Sequence, residues 1–156
     1  FAADDGTLAT EWLDGTEALL ATYFDLEDPT RLEPADRELA LSVELDDGLV
    51  LRGYVDRLDV APDGAMRVVD YKTGRTPGEA YEGRALFQLK FYALVLWRTR
   101  GRVPAELRLL YLDEATMLRY APDERELRAF ERILDALWRA VTRTHTSGRR
   151  TSSASR

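Results

Sequence analysis

The segment GYVDRLDVAPDGAMRVVDYK, residues 53–72, has the pattern of a β-hairpin that ends in an acid, an aromatic residue and a lysine. Runs rich in Val and Leu flank a turn rich in Pro, Asp and Gly, which is typical of two antiparallel strands. With the turn centred near Asp63-Gly64, Asp56 lies roughly opposite Asp70, and residues in that relation are about 5 Å apart. The hairpin therefore predicts two carboxylates side by side.

The rest of the chain predicts an α/β domain in which a three-strand meander and one or two further strands form a central mixed sheet flanked by helices. Alternation of apolar residues identifies strands, and apolar spacing of three and four identifies helices. Residues 1–143 are expected to form one domain, and 144–156 a disordered polar tail. The predicted elements are a helix (or two short ones) at 7–27, strands at 37–45, 49–60 and 66–72, a helix at 79–101, strands at 105–113 and 116–122, and a helix at 122–143.

Composition excludes several kinds of site. The 156 residues contain no cysteine, so the chain has no ligands for a disulfide, a thiolate zinc site or an iron–sulfur cluster, and its one histidine is His145. No run of about 18 apolar residues and no signal peptide occurs, which indicates a cytoplasmic protein with no membrane contact. The chain begins with Phe1 and not Met, so we expect a fragment of a longer polypeptide.

Lys72 is one of only two lysines among 22 cationic residues. It shares a strand face with Asp70, about 7 Å along the strand. Two carboxylates near each other repel unless a cation lies between them, and their hard oxygens suggest Mg²⁺ or Mn²⁺. A lysine can position a water there better than an arginine can. The alternative is a salt bridge at a strand end.

Three motifs together resemble the PD-(D/E)XK nuclease superfamily, specifically its RecB-like exonuclease domains. They are GYVDRLD with Asp56, VVDYKTG with Asp70-Tyr71-Lys72, and QLKFY with Gln88. The resemblance covers roughly residues 36–98 and implies a restriction-endonuclease-like core. It also implies a metal site formed by the two acids and the Tyr71 carbonyl oxygen, with Lys72 orienting or activating the attacking water.

In this family Gln88 and Tyr92, at QxxxY spacing on one helix face, would help to hold DNA and the catalytic layer. By themselves they are equally a polar pair inside a packed helix. Thr73 and Arg75 follow the third strand, where the loop is either a simple strand-to-helix turn or a place where a phosphate approaches. Both interpretations of this loop stay open, and Thr73 and Arg75 are candidates for supporting the site.

Other residues of the hairpin region have structural interpretations beside functional ones. Gly53 marks a bulge or a close backbone approach. Arg57 pairs with Asp59 or another acid, or else contacts a phosphate. Glu38 is a solvated acid or reaches the site from the first strand.

The resemblance implies metal-dependent hydrolysis of DNA phosphodiester bonds by an exonuclease of DNA repair or recombination, with a helicase domain or subunit as partner. Relatives usually carry an upstream histidine ligand that has no counterpart here. A second hypothesis is therefore an inactive nuclease-fold module that binds DNA or a helicase partner. A third is an interaction domain whose motifs match by chance, which Asp56 and Lys72 on opposite sheet faces would favour.

Overall fold

The computed structural model has the predicted order of elements: helix, three strands, helix, two strands, helix. It describes residues 5–28, 30, 33–74 and 78–150, without the side chains of 5–12, 79–81 and 147–150. The helices are α1 (Asp5–Leu26), α2 (Glu79–Arg100) and α3 (Glu124–Arg150), and the strands are β1 (Asp36–Glu44), β2 (Val50–Val60), β3 (Met66–Lys72), β4 (Glu106–Tyr111) and β5 (Thr116–Tyr120).

The five strands form one mixed sheet in the order β1-β2-β3-β4-β5. Strands β1, β2 and β3 form the predicted antiparallel meander, and β4 and β5 are also antiparallel to each other. Strand β4 runs parallel to β3, because α2 carries the chain back across the sheet between them. The prediction of a mixed sheet is confirmed, and both further strands belong to it.

Helix α2 is buried because it lies between the sheet and α3. It is apolar on most sides, as expected for a helix that is covered on two of its faces. Helix α3 contributes apolar side chains from one face only. The fully buried residues of α2 are Leu89, Ala93, Leu94, Val95 and Leu96, and those that α3 adds to the core are Leu127, Phe130 and Leu134.

Of the two alternatives for the first helix, the structure has one continuous helix through Gly15. Helix α3 differs from the sequence prediction, because it continues to Arg150, so residues 144–150 are helical and not a disordered tail. The hydroxyls of Thr144 and Thr146 bond to carbonyls one turn earlier, so they do not compete with the helix. Residues 151–156 lie outside the described part of the chain. Within that part, no helix has the length and apolar character needed to cross a bilayer.

Strand β2 is kinked at Asp56. Val55 and Leu58 are both fully buried in the same core, three residues apart, whereas strict alternation would place them on opposite faces. On β1, the register places Glu38 opposite Asp56, and Glu38 has the left-handed φ of 49°. Such a φ is uncommon for a residue with a side chain. The kink exposes Asp56 just beyond the last paired residues of β2 and β3.

Gly53 allows α2 to approach the sheet closely before the kink. A Cβ atom at this position would lie 3.0 Å from Cε1 of Tyr92 and 3.2 Å from Cε1 of Phe91. The Tyr92 ring is buried and has little room to move. The interpretation of Gly53 as a close backbone approach is confirmed.

We expect Gly53→Ala to lower the free energy of unfolding by about 1 kcal/mol, because overpacking against Tyr92 outweighs the entropy that Ala removes from the unfolded chain. The matched control is Gly83→Ala within α2, where a Cβ meets nothing within 4 Å. That change should raise stability by roughly 0.5–1 kcal/mol. Urea unfolding of both variants measures the difference, and a Gly53→Ala protein at least as stable as the wild type would contradict the close packing.

Candidate active site

The hairpin brings the two predicted carboxylates together. Arg57 pairs with Val69 in the β2–β3 ladder, so one further step places Asp56 opposite Asp70. Beyond the ladder, Oδ2 of Asp56 accepts a hydrogen bond of 2.8 Å from the backbone N–H of Tyr71. The side chain of Asp56 thus continues the link between the strands where backbone pairing has ended.

Lys72 lies on the same side of the sheet as these acids. Its Nζ is 2.7 Å from Oδ2 of Asp70, although the two positions are two residues apart along β3. The flexible lysine stem closes the distance of about 7 Å that separates such positions along a strand. The prediction of a shared face is confirmed, and so is the prediction of a salt bridge. A chance match with Asp56 and Lys72 on opposite faces is not what the structure shows.

The site carries more negative than positive charge. Burial raises the pKa of Asp70, and the neighbouring carboxylate of Asp56 raises it further, while Lys72 acts in the opposite direction. Burial tends to lower the pKa of Lys72, but its hydrogen bond to Asp70 and the nearby negative charges outweigh burial and raise that pKa. The Lys72 amine therefore donates its hydrogen bond to Asp70 within the site, and its orienting or activating role toward a water stays a prediction.

A divalent cation fits this arrangement. Two adjacent carboxylates share one ammonium group, so positive charge is lacking, and their oxygens are the ligands that Mg²⁺ and Mn²⁺ prefer. In the described part of the chain, no three His, Cys, Asp or Glu side chains converge as a metal-binding group. Asp56 and Asp70 would thus be the side-chain ligands, and coordination by the Tyr71 carbonyl oxygen stays a prediction.

The helix that follows β3 completes one wall of the site. Nε2 of Gln88 donates a 2.9 Å hydrogen bond to the hydroxyl of Tyr92. Burial raises the pKa of Tyr92, and the charge of Asp70 raises it further while that of Lys72 opposes it, so the phenol lies next to the site. The prediction of a polar pair is confirmed, and the support of the site by Gln88 and Tyr92 stays a prediction.

The loop after β3 is described only in part. Thr73 is exposed directly beyond Lys72, and Arg75 lies outside the described residues. Their support of the site stays a prediction.

A buried ion pair of Arg57 lies behind the site, and the identity of its main partner, Glu27, was not predicted. Glu27, which follows α1, binds the Arg57 guanidinium with both carboxylate oxygens at 2.8 Å. The Tyr71 hydroxyl donates to Glu27 at 3.2 Å, and Asp59 lies 3.0 Å from Nε of Arg57. Arg57 is only 4% exposed, so the prediction that it pairs with an acid is confirmed, and its side chain is not available to a phosphate.

The Glu27–Arg57 pair, together with the Tyr71 hydroxyl that binds Glu27, restrains the backbone next to each carboxylate. Arg57 follows Asp56 directly, and Tyr71 follows Asp70, so each anchored side chain is adjacent to an acid of the site. Alternation along β3 places the Tyr71 side chain on the face opposite that of Asp70, and Arg57 contacts the Tyr71 hydroxyl on that face. Glu27 could not be identified from local sequence patterns, because it is 30 residues from Arg57.

The model of a known family matches residues 2–153, nearly the whole chain, and its description is the PD-(D/E)XK nuclease superfamily. The chain belongs to this superfamily. Its mixed five-strand sheet with flanking helices is the restriction-endonuclease-like fold that the sequence predicted. Members of the superfamily generally use divalent metal ions, which agrees with the charge deficit at the carboxylate pair.

Two phage proteins are similar to part of the chain. The Gene 69 protein of Mycobacterium phage D29 is 47% identical over 64 residues, which are 41% of this chain and 21% of the phage protein. The Gene 69 protein of Mycobacterium phage L5 is 44% identical over 62 residues, which are 40% and 19% of the two chains. The matched segment thus spans about a fifth of these curated relatives.

We expect Glu27→Gln to lower the free energy of unfolding by about 1–3 kcal/mol, because it removes a negative charge from the buried guanidinium of Arg57. Glu124→Gln is the control, because its ion pair with Arg128 is more than half exposed and should change stability by less than about 0.5 kcal/mol. Denaturant unfolding measures both effects. Hydrogen exchange at the Tyr71 amide should also accelerate in Glu27→Gln alone, and equal behaviour of the two variants would contradict the anchoring role.

Proposed function

We propose that the chain is the nuclease domain of a protein that hydrolyses DNA phosphodiester bonds with a divalent metal ion. The observation that carries this proposal is the group of Asp56, Asp70 and Lys72 at one edge of the sheet, with Lys72 2.7 Å from Asp70. Membership of a nuclease superfamily supports the same reaction and DNA as the substrate.

The residues of the site then have separate roles. Asp56, Asp70 and the Tyr71 carbonyl oxygen would hold Mg²⁺ or Mn²⁺, and the bound ion supplies Lewis-acid stabilisation of negative charge on the phosphate. The Lys72 ammonium donates a hydrogen bond to the attacking water or to a phosphate oxygen and stabilises developing charge.

Tyr92 forms the wall of the site and is held by its hydrogen bond from Gln88. Thr73 and Arg75, which follow β3 in the sequence, are proposed to contact the DNA backbone. These four residues therefore support and contact the substrate in this proposal, while the carboxylates and Lys72 carry the chemistry.

The finer part of the proposal is a RecB-like exonuclease that acts in DNA repair or recombination beside a helicase domain or subunit. It is supported by the QxxxY pair next to the carboxylates and by the order of the three motifs. Because the matched segment spans about a fifth of the curated relatives, the activity and partners of the whole protein belong to this proposal.

A second candidate function is binding of DNA or a helicase partner without cleavage. It is favoured by the small ligand set, since the described residues bring only two carboxylates together and no histidine joins them. Metal binding distinguishes the two candidates, because a module that only binds DNA needs no ion between Asp56 and Asp70.

Cleavage of end-labelled single-stranded and double-stranded DNA in Mg²⁺ or Mn²⁺, compared with EDTA, tests the enzyme. Asp70→Asn and Lys72→Ala should each lower the rate about 100-fold or more, because each removes charge from the reacting centre. Lys90→Ala is the matched control. Lys90 is the only other lysine, and it pairs with Glu126 of α3 at 2.8 Å, so its loss should leave the rate unchanged.

Calorimetric titration with Mn²⁺ supplies a readout that is independent of cleavage. The wild type should bind the ion, and Asp56→Asn should abolish that binding without unfolding the protein. Undiminished cleavage by the Asp70 and Lys72 variants would refute the assigned roles, whereas DNA binding without metal binding or cleavage would establish the second candidate.

A further inference from the structure

A cavity of about 530 Å³ opens beside Asp56, between α1 and the first two strands. Its volume is in the range of cavities that hold small ligands. Its lining contains both aromatic and charged side chains. The residues relevant here are Tyr23, Arg37, Glu38, Asp56, Arg57 and Tyr71.

We propose that this cavity binds one unpaired base of a DNA strand, with Tyr23 as the stacking surface and Arg37 as the contact to the adjacent backbone phosphate. The inference rests on the proposed nuclease function and adds a recognition site to it. A base inside a duplex is paired and stacked on its neighbours, so only a single-stranded or frayed segment could place a base there.

The aromatic wall is fixed before any ligand arrives. The rings of Tyr23 and Tyr71 meet edge to face, with centroids 5.8 Å apart. The Tyr71 hydroxyl is held by Glu27, so the ring against which Tyr23 packs cannot turn freely. Aromatic side chains held in place are the usual stacking surface for unpaired bases, because every base has a π face.

The charges of the cavity select a base and not a phosphate for its interior. Asp56 and Glu38 are acidic, and the charge of Arg57 is balanced by Glu27 and Asp59. An anionic phosphate would be repelled by this interior, whereas a base is uncharged. A carboxylate such as that of Glu38 can also accept a hydrogen bond from an N–H group on the Watson–Crick edge of a base, such as N3–H of thymine.

Arg37 lies on the exposed first part of β1 and contributes to the cavity lining. From there its guanidinium can meet the phosphate of a nucleotide whose base is inside. The left-handed φ of Glu38, the next residue, is a local strain of the kind that persists where the surrounding structure requires it. Glu38 lies opposite Asp56, so this strained residue of β1 is next to the kink of β2 at the cavity wall.

The experiment is fluorescence anisotropy in EDTA at low salt, with a labelled oligodeoxythymidine of about 12 nucleotides and a strand of equal length made of abasic nucleotides. Tyr23→Leu should weaken binding of oligodeoxythymidine about tenfold and leave binding of the abasic strand unchanged. Tyr54→Leu is the control, because Tyr54 is 73% exposed on β2 and does not line the cavity.

Arg37→Gln should weaken binding of both strands. It should also reduce the slope of log affinity against log salt concentration by about 0.7, the value for one phosphate contact on a single strand. Arg52→Gln, at an exposed position of β2 outside the cavity, should reduce that slope less. A wild type that binds both strands equally, or equal effects of Tyr23→Leu and Tyr54→Leu, would overturn the proposal. Circular dichroism of each variant establishes that it is folded.

Failure of this inference and failure of the proposed nuclease can be told apart. If Asp70→Asn abolishes cleavage but Tyr23→Leu binds the two strands as the wild type does, the nuclease stands and the base site is wrong. If Tyr23→Leu loses the preference for bases and no metal-dependent cleavage occurs, the base site stands and the nuclease is wrong.

Discussion

Two carboxylates of like charge are held next to each other where β2 and β3 stop pairing, and the rest of the structure makes this arrangement possible. Asp56 is fixed by the Tyr71 N–H, and Asp70 is fixed by Lys72. The repulsion is apparent in the raised pKa of Asp70, to which burial contributes most and Asp56 adds. A fold that merely maximised stability would separate these groups, so their proximity is best explained by a cation that the site is built to receive.

Support for the carboxylates comes from the opposite face of the sheet. A buried ion pair contributes little net stability, because desolvation of both charges offsets their attraction. The pair between Glu27 and Arg57 is better understood as a means of fixing position, since it restrains the residues that directly follow the two acids. It also joins the end of α1 to the hairpin, which places the ring of Tyr23 against that of Tyr71.

The sequence predicted those parts of the structure that depend on local chemistry. Turn composition was enough to predict the hairpin register, because the loop between β2 and β3 is short. Alternation along β3 was enough to predict the shared face of Asp70 and Lys72. They were not enough for the kink, because alternation assumes a regular strand and the left-handed φ of Glu38 breaks that regularity. Glu27 was missed because its partner is distant in sequence. The continuation of α3 was missed because small polar residues suggest disorder, whereas their hydroxyls bond within the helix.

The kink at Asp56 also separates the surroundings of the carboxylates on the α2 side from the cavity on the α1 side. On the α2 side, Tyr92 and Lys72 lie beside the acids, where the proposed reaction would take place. On the α1 side, Tyr23 and Arg37 border a cavity that shares Asp56 with the site. Because α1 and α2 contact different residues of the hairpin, changes on the α1 side of the proposed nuclease would alter which strand is accepted without altering the chemistry. The kink at Asp56 would then keep strand recognition apart from the reacting centre.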